Sequence, residues 1–231
     1  MRLLLCLCAF ACTVQALHIN LYVNYYVDKV PERQVELDKA LALNVANPLI
    51  NKIYLLVENV NPPPAEKIQL IPIVGRPTFR TVFDLMTQFN GPNEIGITTN
   101  SDIYFDTSLD KVRAFYKKPS SASVAMALTR YNVLANGSLE KMGHPNWTQD
   151  TWIILGKPKP MGDLNFIYGR PQCDNRIAYE LLAAGYRVIN PYYSVTTYHL
   201  HLSGIRHYGV EWWKESTPKP YHYVDPVALP V

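Results

Sequence analysis

The stretch Glu94-Ile95-Gly96-Ile97-Thr98-Thr99-Asn100-Ser101-Asp102 sets the fold class, because a short β-branched run ends abruptly in three small polar residues. Its first six residues read as a strand and its last three as the turn leaving that strand's carboxyl end. Just upstream, Thr78 to Phe89 carries Phe79, Val82, Phe83 and Met86 at helical spacing, with Thr78 suited to the N-cap. Before that, Lys67 to Ile73 reads as a strand, and Asn61-Pro62-Pro63-Pro64 separates it from Lys52 to Glu58, an apolar run of the kind buried on both sheet faces. The chain opens with His18 to Val23, which alternates like a strand, followed by Glu32 to Ala46 with Val35, Leu37, Ala40, Leu41 and Val45 near helical spacing. The order strand, helix, strand, strand, helix, strand predicts an α/β fold: a mostly parallel sheet flanked by helices. Such sheets bind ligands beyond the carboxyl ends of their strands, which is where Asn100-Ser101-Asp102 falls.

Working downstream, Ser123 to Tyr131 and Thr151 to Leu155 read as further strands. Asp174 to Ala184 reads as a helix with Ile177, Leu181 and Leu182 inward and Gly185 as its stop, and Tyr186 to Asn190 as a strand. Beyond Glu211 the chain holds Pro218, Pro220, Pro226 and Pro230 and reads as an extended tail. The expected organisation is therefore a leader over 1–16, one α/β domain over 17–208 and a C-terminal tail over 209–231.

Of the 231 residues 48% are hydrophobic and 18% charged, a globular balance. The net charge of +3 comes with no basic run longer than Lys117-Lys118, so the chain lacks the footprint of a nucleic-acid binder. There is no GxGxxG, Walker loop, GxSxG or HExxH, which removes support for the corresponding dinucleotide, P-loop, hydrolase and zincin readings. Sixteen tyrosines supply rings that pack at half-buried positions or stack on sugars and bases.

Met1-Arg2, the apolar run Leu3 to Cys12 and Val14-Gln15-Ala16 read as a cleaved signal peptide, placing the protein in the secretory pathway, secreted or in the Golgi or endoplasmic-reticulum lumen. Cys6, Cys8 and Cys12 leave with it and Cys173 stays unpaired. No later segment reaches the roughly 20 apolar residues of a membrane span. Asn136-Gly137-Ser138 and Asn146-Trp147-Thr148 are N-glycosylation sequons.

The residues able to carry chemistry are acidic and histidine-based. Asn100 and Asp102 alternate onto one side of an extended chain, where they could hold a divalent ion together with a hydroxyl, or merely close an Asx-turn. His199 and His201 form a His-x-His pair, read either as metal ligands or as one packed and one exposed imidazole. Asp174, opening a helix with Arg176 two residues on, is either a cap or a general base toward an acceptor hydroxyl, with Arg176 helping on phosphate. Asp150 offers a second carboxylate on that side, or a turn residue.

In order and content these pieces resemble the nucleotide-sugar-dependent glycosyltransferases of the GT-A type: a first strand ending at Val23-Asn24-Tyr25-Tyr26, a strand ending at Leu56-Val57-Glu58, the arginines of Gly75-Arg76-Pro77-Thr78-Phe79-Arg80, Asn100-Ser101-Asp102 at the place of a D-x-D motif, and the late histidines. The resemblance implies a GT-A-like domain that transfers a sugar from a nucleoside-diphosphate donor to a carbohydrate or other hydroxylated acceptor. It implies Mn²⁺ or Mg²⁺ on Asp102 with His199 or His201, Asn24, Tyr25, Glu58, Arg76, Arg80 and Asn100 on the nucleotide and donor, and Asp174 as base. Asn100 departs from the aspartate of the motif. Two other readings use the same residues: a metal-dependent hydrolase built on His199, His201 and His207, and a binding protein of the same fold without turnover.

Overall fold

The computed structural model describes residues 16–58, 60–207 and 211–230. The leader read from 1–16 thus lies, but for Ala16, outside the described residues. Among the described residues eleven strands and four α-helices follow in order: β1 (His18–Tyr25), α1 (Pro31–Ala46), β2 (Ile50–Val57), β3 (Ile68–Pro72), α2 (Phe79–Phe89), β4 (Glu94–Thr99), β5 (Ile103–Phe105), α3 (Leu109–Tyr116), β6 (Val124–Leu128), β7 (Tyr131–Val133), β8 (Leu139–Glu140), β9 (Thr151–Leu155), α4 (Cys173–Ala183), β10 (Arg187–Ile189) and β11 (Thr197–His199).

Seven strands form the main sheet in the order β10-β6-β9-β4-β1-β2-β3. Only β9 runs antiparallel to its neighbours β4 and β6. Alternation along each strand divides the core into two layers. Ile19, Leu21, Val23, Ile53, Leu55 and Ile97 face one side, where Leu41 of α1 and Leu109, Val112 and Phe115 of α3 cover them. Tyr22, Tyr54, Leu56, Trp152 and Ile154 face the other, against Phe79, Val82, Phe83 and Met86 of α2 and Ile177, Ala178 and Leu181 of α4. The α/β expectation is met, and Thr78 caps α2 by accepting from the Thr81 amide (3.3 Å).

Two helix phases differ from the periodicity reading. Val35 is 64% exposed, because the inward stripe of α1 is set by Arg33, Glu36, Leu37, Ala40, Leu41 and Asn44. Leu182 is likewise exposed, since α4 packs along Cys173, Ile177 and Leu181 while Glu180 turns in to take the Arg176 guanidinium. Helix α3, with apolar residues at 109, 112, 115 and 116, lies in a stretch for which the sequence reading gave no element.

A second, four-stranded sheet has the order β5-β11-β7-β8 and stands at the carboxyl edge of the first. Its central strand β11 places His199 opposite Ile103 on one side and Asn132 on the other. The last rung, from the Leu200 amide to the Asp102 carbonyl (2.9 Å), brings the turn after β4 against the late histidines. The C-terminal segment folds back over α4 and β10: Thr217 donates to the Pro171 carbonyl, His222 to that of Asn175 and Val227 to that of Asn190, and Val224 and Leu229 are buried. No helix among the described residues is long and apolar enough to cross a membrane.

Candidate functional site

Strands β1, β2 and β4 end together, and their closing residues bond to one another. Asn24 donates from Nδ2 to Glu58 Oε1 (3.0 Å), and Ser101 Oγ donates to the Asn24 carbonyl (2.8 Å). The Asn24 Oδ1 atom is buried without a partner. Tyr25 points away from this edge into the layer under α1, where its hydroxyl donates to Asp38 (2.7 Å). Its neighbour Tyr26 takes the place expected of Tyr25: the half-buried phenol lies within electrostatic reach of Arg33, Asp102, Asp28 and Arg76, and burial pushes its pKa up. Strand alternation explains the swap, since adjacent residues face opposite sides.

Asp102, His199 and His201 converge, with one ligand atom of each within 4.8 Å of the others. Asp102 Oδ2 lies 3.2 Å from His199 Nε2, 3.7 Å from His201 Nδ1 and 2.5 Å from the Arg33 guanidinium. Burial alone would raise the Asp102 carboxyl; His199, then His201 and Arg33, outweigh it and hold the group well below the usual carboxylate range. Arg33 also donates to Glu36 (2.8 Å) and to the Leu200 carbonyl (3.2 Å), while Glu36 accepts from the Ser203 amide and hydroxyl. The buried polar start of α1 therefore clamps the histidine segment onto Asp102. Farther along the same helix, Asn44 donates to the Ile103 carbonyl and Asn47 to that of Phe105, fixing the strand that follows Asp102.

The tautomer of His199 follows from its second neighbour. The Asn132 amide is oriented by Glu140, which accepts from Nδ2 (3.0 Å), and by Arg130, which donates to Oδ1 (3.3 Å). Asn132 Oδ1 therefore accepts from His199 Nδ1 (2.9 Å), and Nε2 is left facing a carboxylate oxygen of Asp102 at 3.2 Å. Two acceptor atoms so placed share either a proton or a cation. Asp102 Oδ1 and His201 Nε2 are, in addition, buried with no hydrogen-bond partner. One carboxylate and two imidazoles, one oriented from behind, make a donor set that fits a divalent transition metal such as Mn²⁺.

The remaining expected residues divide. Asn100 sits beside the cluster with its amide on Asp150 Oδ1 (2.6 Å), and Asp150 pairs through its other oxygen with Arg130. This accounts for asparagine in the motif's first position: an aspartate there would face the Asp150 carboxylate. Asp150 is thus engaged on both oxygens. Asp174 opens α4 on the same sheet edge, accepting from the Gln149 amide (3.2 Å), and burial together with the charge of Asp150 pushes its pKa up to about 7. Arg130 lies within electrostatic reach of both Asp102 and Asp174. Arg76 is exposed, with its guanidinium on the Gly169 carbonyl just ahead of α4 and within reach of Tyr26.

Arg80 is not gathered in: it bonds the Gly162 carbonyl (2.6 Å) and lines a separate cavity with Phe83 and Leu164. Arg176 is occupied by Glu180 and by the Pro218 and Lys219 carbonyls. His207 pairs with Asp28 (2.6 Å), apart from the His199–His201 pair. Asn136 lies on the exposed β7–β8 turn, whereas the Asn146 amide donates to Asp225 (3.0 Å). Cys173 is buried and unpaired. Sequence reasoning missed Arg33, Glu36, Tyr26 and Asn132.

With this geometry in view, no protein-family model matches the chain and no curated protein matches its sequence. Solved structures do match its fold. GalNAc-T7 with UDP, GalNAc and Mn²⁺ is similar over 88% of the chain and 47% of its own, with a TM-score of 0.58 and 9% identity. The mannosyltransferase PcManGT of Pyrobaculum calidifontis, in complex with GDP-Man and Mn²⁺, is similar over 87% of the chain and 60% of its own, with a TM-score of 0.51 and 12% identity. The fold is therefore GT-A-like, and the chain spans about half to three-fifths the length of these two proteins.

Proposed function

We propose that the protein is a divalent-metal-assisted glycosyltransferase that moves a sugar from a nucleoside-diphosphate donor to a hydroxylated acceptor. The observation that carries this reading is the Asp102–His199–His201 cluster, with its two partnerless buried donor atoms, at the carboxyl edge of a mostly parallel sheet. Asp102, His199 and His201 would hold the metal, which when bound neutralises charge on the leaving diphosphate. Asn24, Glu58 and Tyr26 form the floor on which the nucleoside rests, and Arg76 stands at its rim for phosphate charge.

Asp174 accepts the acceptor's hydroxyl proton as that oxygen bonds to the anomeric carbon and the carbon's bond to the diphosphate oxygen breaks. A carboxyl titrating near 7 suits a base acting at neutral pH. Arg130, between the two aspartates, keeps the acidic edge from repelling a diphosphate.

Thermal unfolding with UDP, GDP or CMP, each with and without Mn²⁺, tests the reading on the wild type and on His201→Ala. One nucleotide with Mn²⁺ is expected to raise the melting temperature of the wild type, by about 2.7 kcal/mol of stability at a hundredfold excess over Kd, and to leave His201→Ala unmoved. If no nucleotide shifts the wild type, the transferase reading is wrong.

A further inference from the structure

A pocket of about 460 Å³ opens over the start of α4, lined by Trp147, Thr148, Gln172, Asp174, Asn175 and Tyr223, and the proposed transfer so far uses only its aspartate. Its volume falls in the range of about 300–1,000 Å³ typical of small-molecule sites. Two aromatic side chains stand open in its walls, Trp147 at 56% and Tyr223 at 47% exposure. His144 stacks on one face of the Trp147 indole, with ring centres 4.3 Å apart and planes within 15°. His144 does not line the pocket, and its stack leaves the second indole face uncovered by it.

These rings sit on pinned backbone. Asn175 Nδ2 donates to the Trp147 carbonyl (3.2 Å) and Gln149 Nε2 to the Asn146 carbonyl (3.1 Å). On the opposite wall, the His222 amide bonds the Asn175 carbonyl and Val224 is buried. The Asn146 amide bridges the walls by donating to Asp225 (3.0 Å), so a residue of the second sequon serves as a strut between them. A flat, pre-positioned aromatic face loses little freedom when a ring is laid on it.

The lining contains a carboxylate, two side-chain amides and two hydroxyl residues but neither lysine nor arginine, and Arg130, the cation within reach of Asp174, is already paired with Asp150, so an anion finds no free cation in the wall. An ammonium group would be better served by enclosure on several sides than by two rings left half open. A neutral pyranose matches both features, offering a C–H face to the indole and hydroxyls to Asp174 and the amide-bearing rim. We infer that this pocket is the acceptor subsite and that the acceptor is a neutral saccharide, its sugar ring laid on Trp147 and Tyr223 with one hydroxyl directed at Asp174. The assignment of the role as acceptor rests on the transferase reading; the saccharide specificity rests on the pocket alone.

Saturation-transfer NMR of the full chain with methyl glycosides of glucose, galactose, mannose, xylose and N-acetylglucosamine decides the matter. It is run without additions and again with Mn²⁺ and UDP or GDP. At least one glycoside is expected to bind, with affinity reduced tenfold or more in Trp147→Ala and in Tyr223→Ala, while both variants keep the wild-type circular dichroism and nucleotide response. Saccharide binding with no response to any nucleotide would sustain the pocket and remove the transferase reading. The inference is overturned if no glycoside binds under either condition, if binding survives both substitutions, or if tetramethylammonium displaces the sugar.

Discussion

Asp102 and Asp174 occupy the same edge of the same sheet, and both carboxylates are set among protein groups, yet they are driven in opposite directions. Asp102 is surrounded by Arg33, His199 and His201 and held far below the ordinary carboxylate range. Asp174 has backbone amides and a second carboxylate, Asp150, for company and is pushed up to about 7. Burial raises both; the sign of the neighbouring charge decides the outcome. The contrast separates a fixed anion from a carboxyl poised near neutrality, the two roles that the proposed sugar transfer would need.

Breaking the first half of the contrast has the largest expected effect. Asp102→Ala strips the buried Arg33 guanidinium of one of its two carboxylates, leaving Glu36. A buried charge left wholly unpaired costs about 3–5 kcal/mol; with Glu36 still on Arg33, urea unfolding should show a loss below that range. Any stabilisation of the wild type by Mn²⁺ should vanish with it. Asp174→Asn is the mirror experiment. A folded-state pKa of about 7 means that the native state holds more protons than the unfolded chain between about pH 4 and pH 7. The wild type should therefore lose stability as pH rises through that window and level off above it. Asp174→Asn should flatten the slope and gain on the order of 2 kcal/mol at pH 8, with the full shift discounted for the pocket's access to water. Transfer activity should fall by about 10²–10⁴, and in the wild type it should rise with pH through about 7.

Strand alternation and the positions of α1, α2 and α4 were legible because burial repeats at fixed periods, and the two pieces Asn100-Ser101-Asp102 and His199-x-His201 were legible because each is a local pattern, though their meeting across 97 residues is not. What supports them was not. Arg33 and Glu36 fall on the inward stripe of α1, and a reading that follows apolar residues alone selects Val35 instead. Had the two charges been recognised as sharing a stripe with Leu37 and Ala40, a buried ion pair and a partner for it would have been the natural inference. Asn132 joins His199 only through the parallel pairing of β7 with β11, a contact across 67 residues that no local pattern announces. Tyr25 and Tyr26 are chemically identical, and only the phase of β1 against the sheet tells which one reaches the site.

That long-range partner gives a sharper test of the cluster than removing a ligand. Asn132→Ala leaves the three donors in place but removes the acceptor that fixes the His199 proton on Nδ1. Loss of such a supporting bond costs about 10–100-fold in metal affinity. A Mn²⁺ titration followed by water-proton relaxation should show a weakening in that range, with the protein still folded. A Kd equal to the wild type's would mean that the imidazole is oriented by packing alone.

The smallest predicted effect tests what sets the two aspartates apart. Asp150→Asn removes the one anion credited with raising Asp174; its amide oxygen can still accept from Arg130, and its amide nitrogen can donate to Asn100 Oδ1 once that side-chain amide turns over. Two changes then act on Asp174 in the same direction: a repelling charge disappears, and the Arg130 cation is no longer matched by a full negative charge beside it. Burial is untouched, so the pKa should remain above the usual range. The midpoint of the pH–activity rise, and of the stability slope beneath it, should move down from about 7 by about one unit, worth about 1.4 kcal/mol. An unchanged midpoint would assign the whole displacement to burial. The opposition between Asp102 and Asp174 would then be one of compensated against uncompensated burial, with Asp150 serving only to hold Asn100 and Arg130 at the sheet edge.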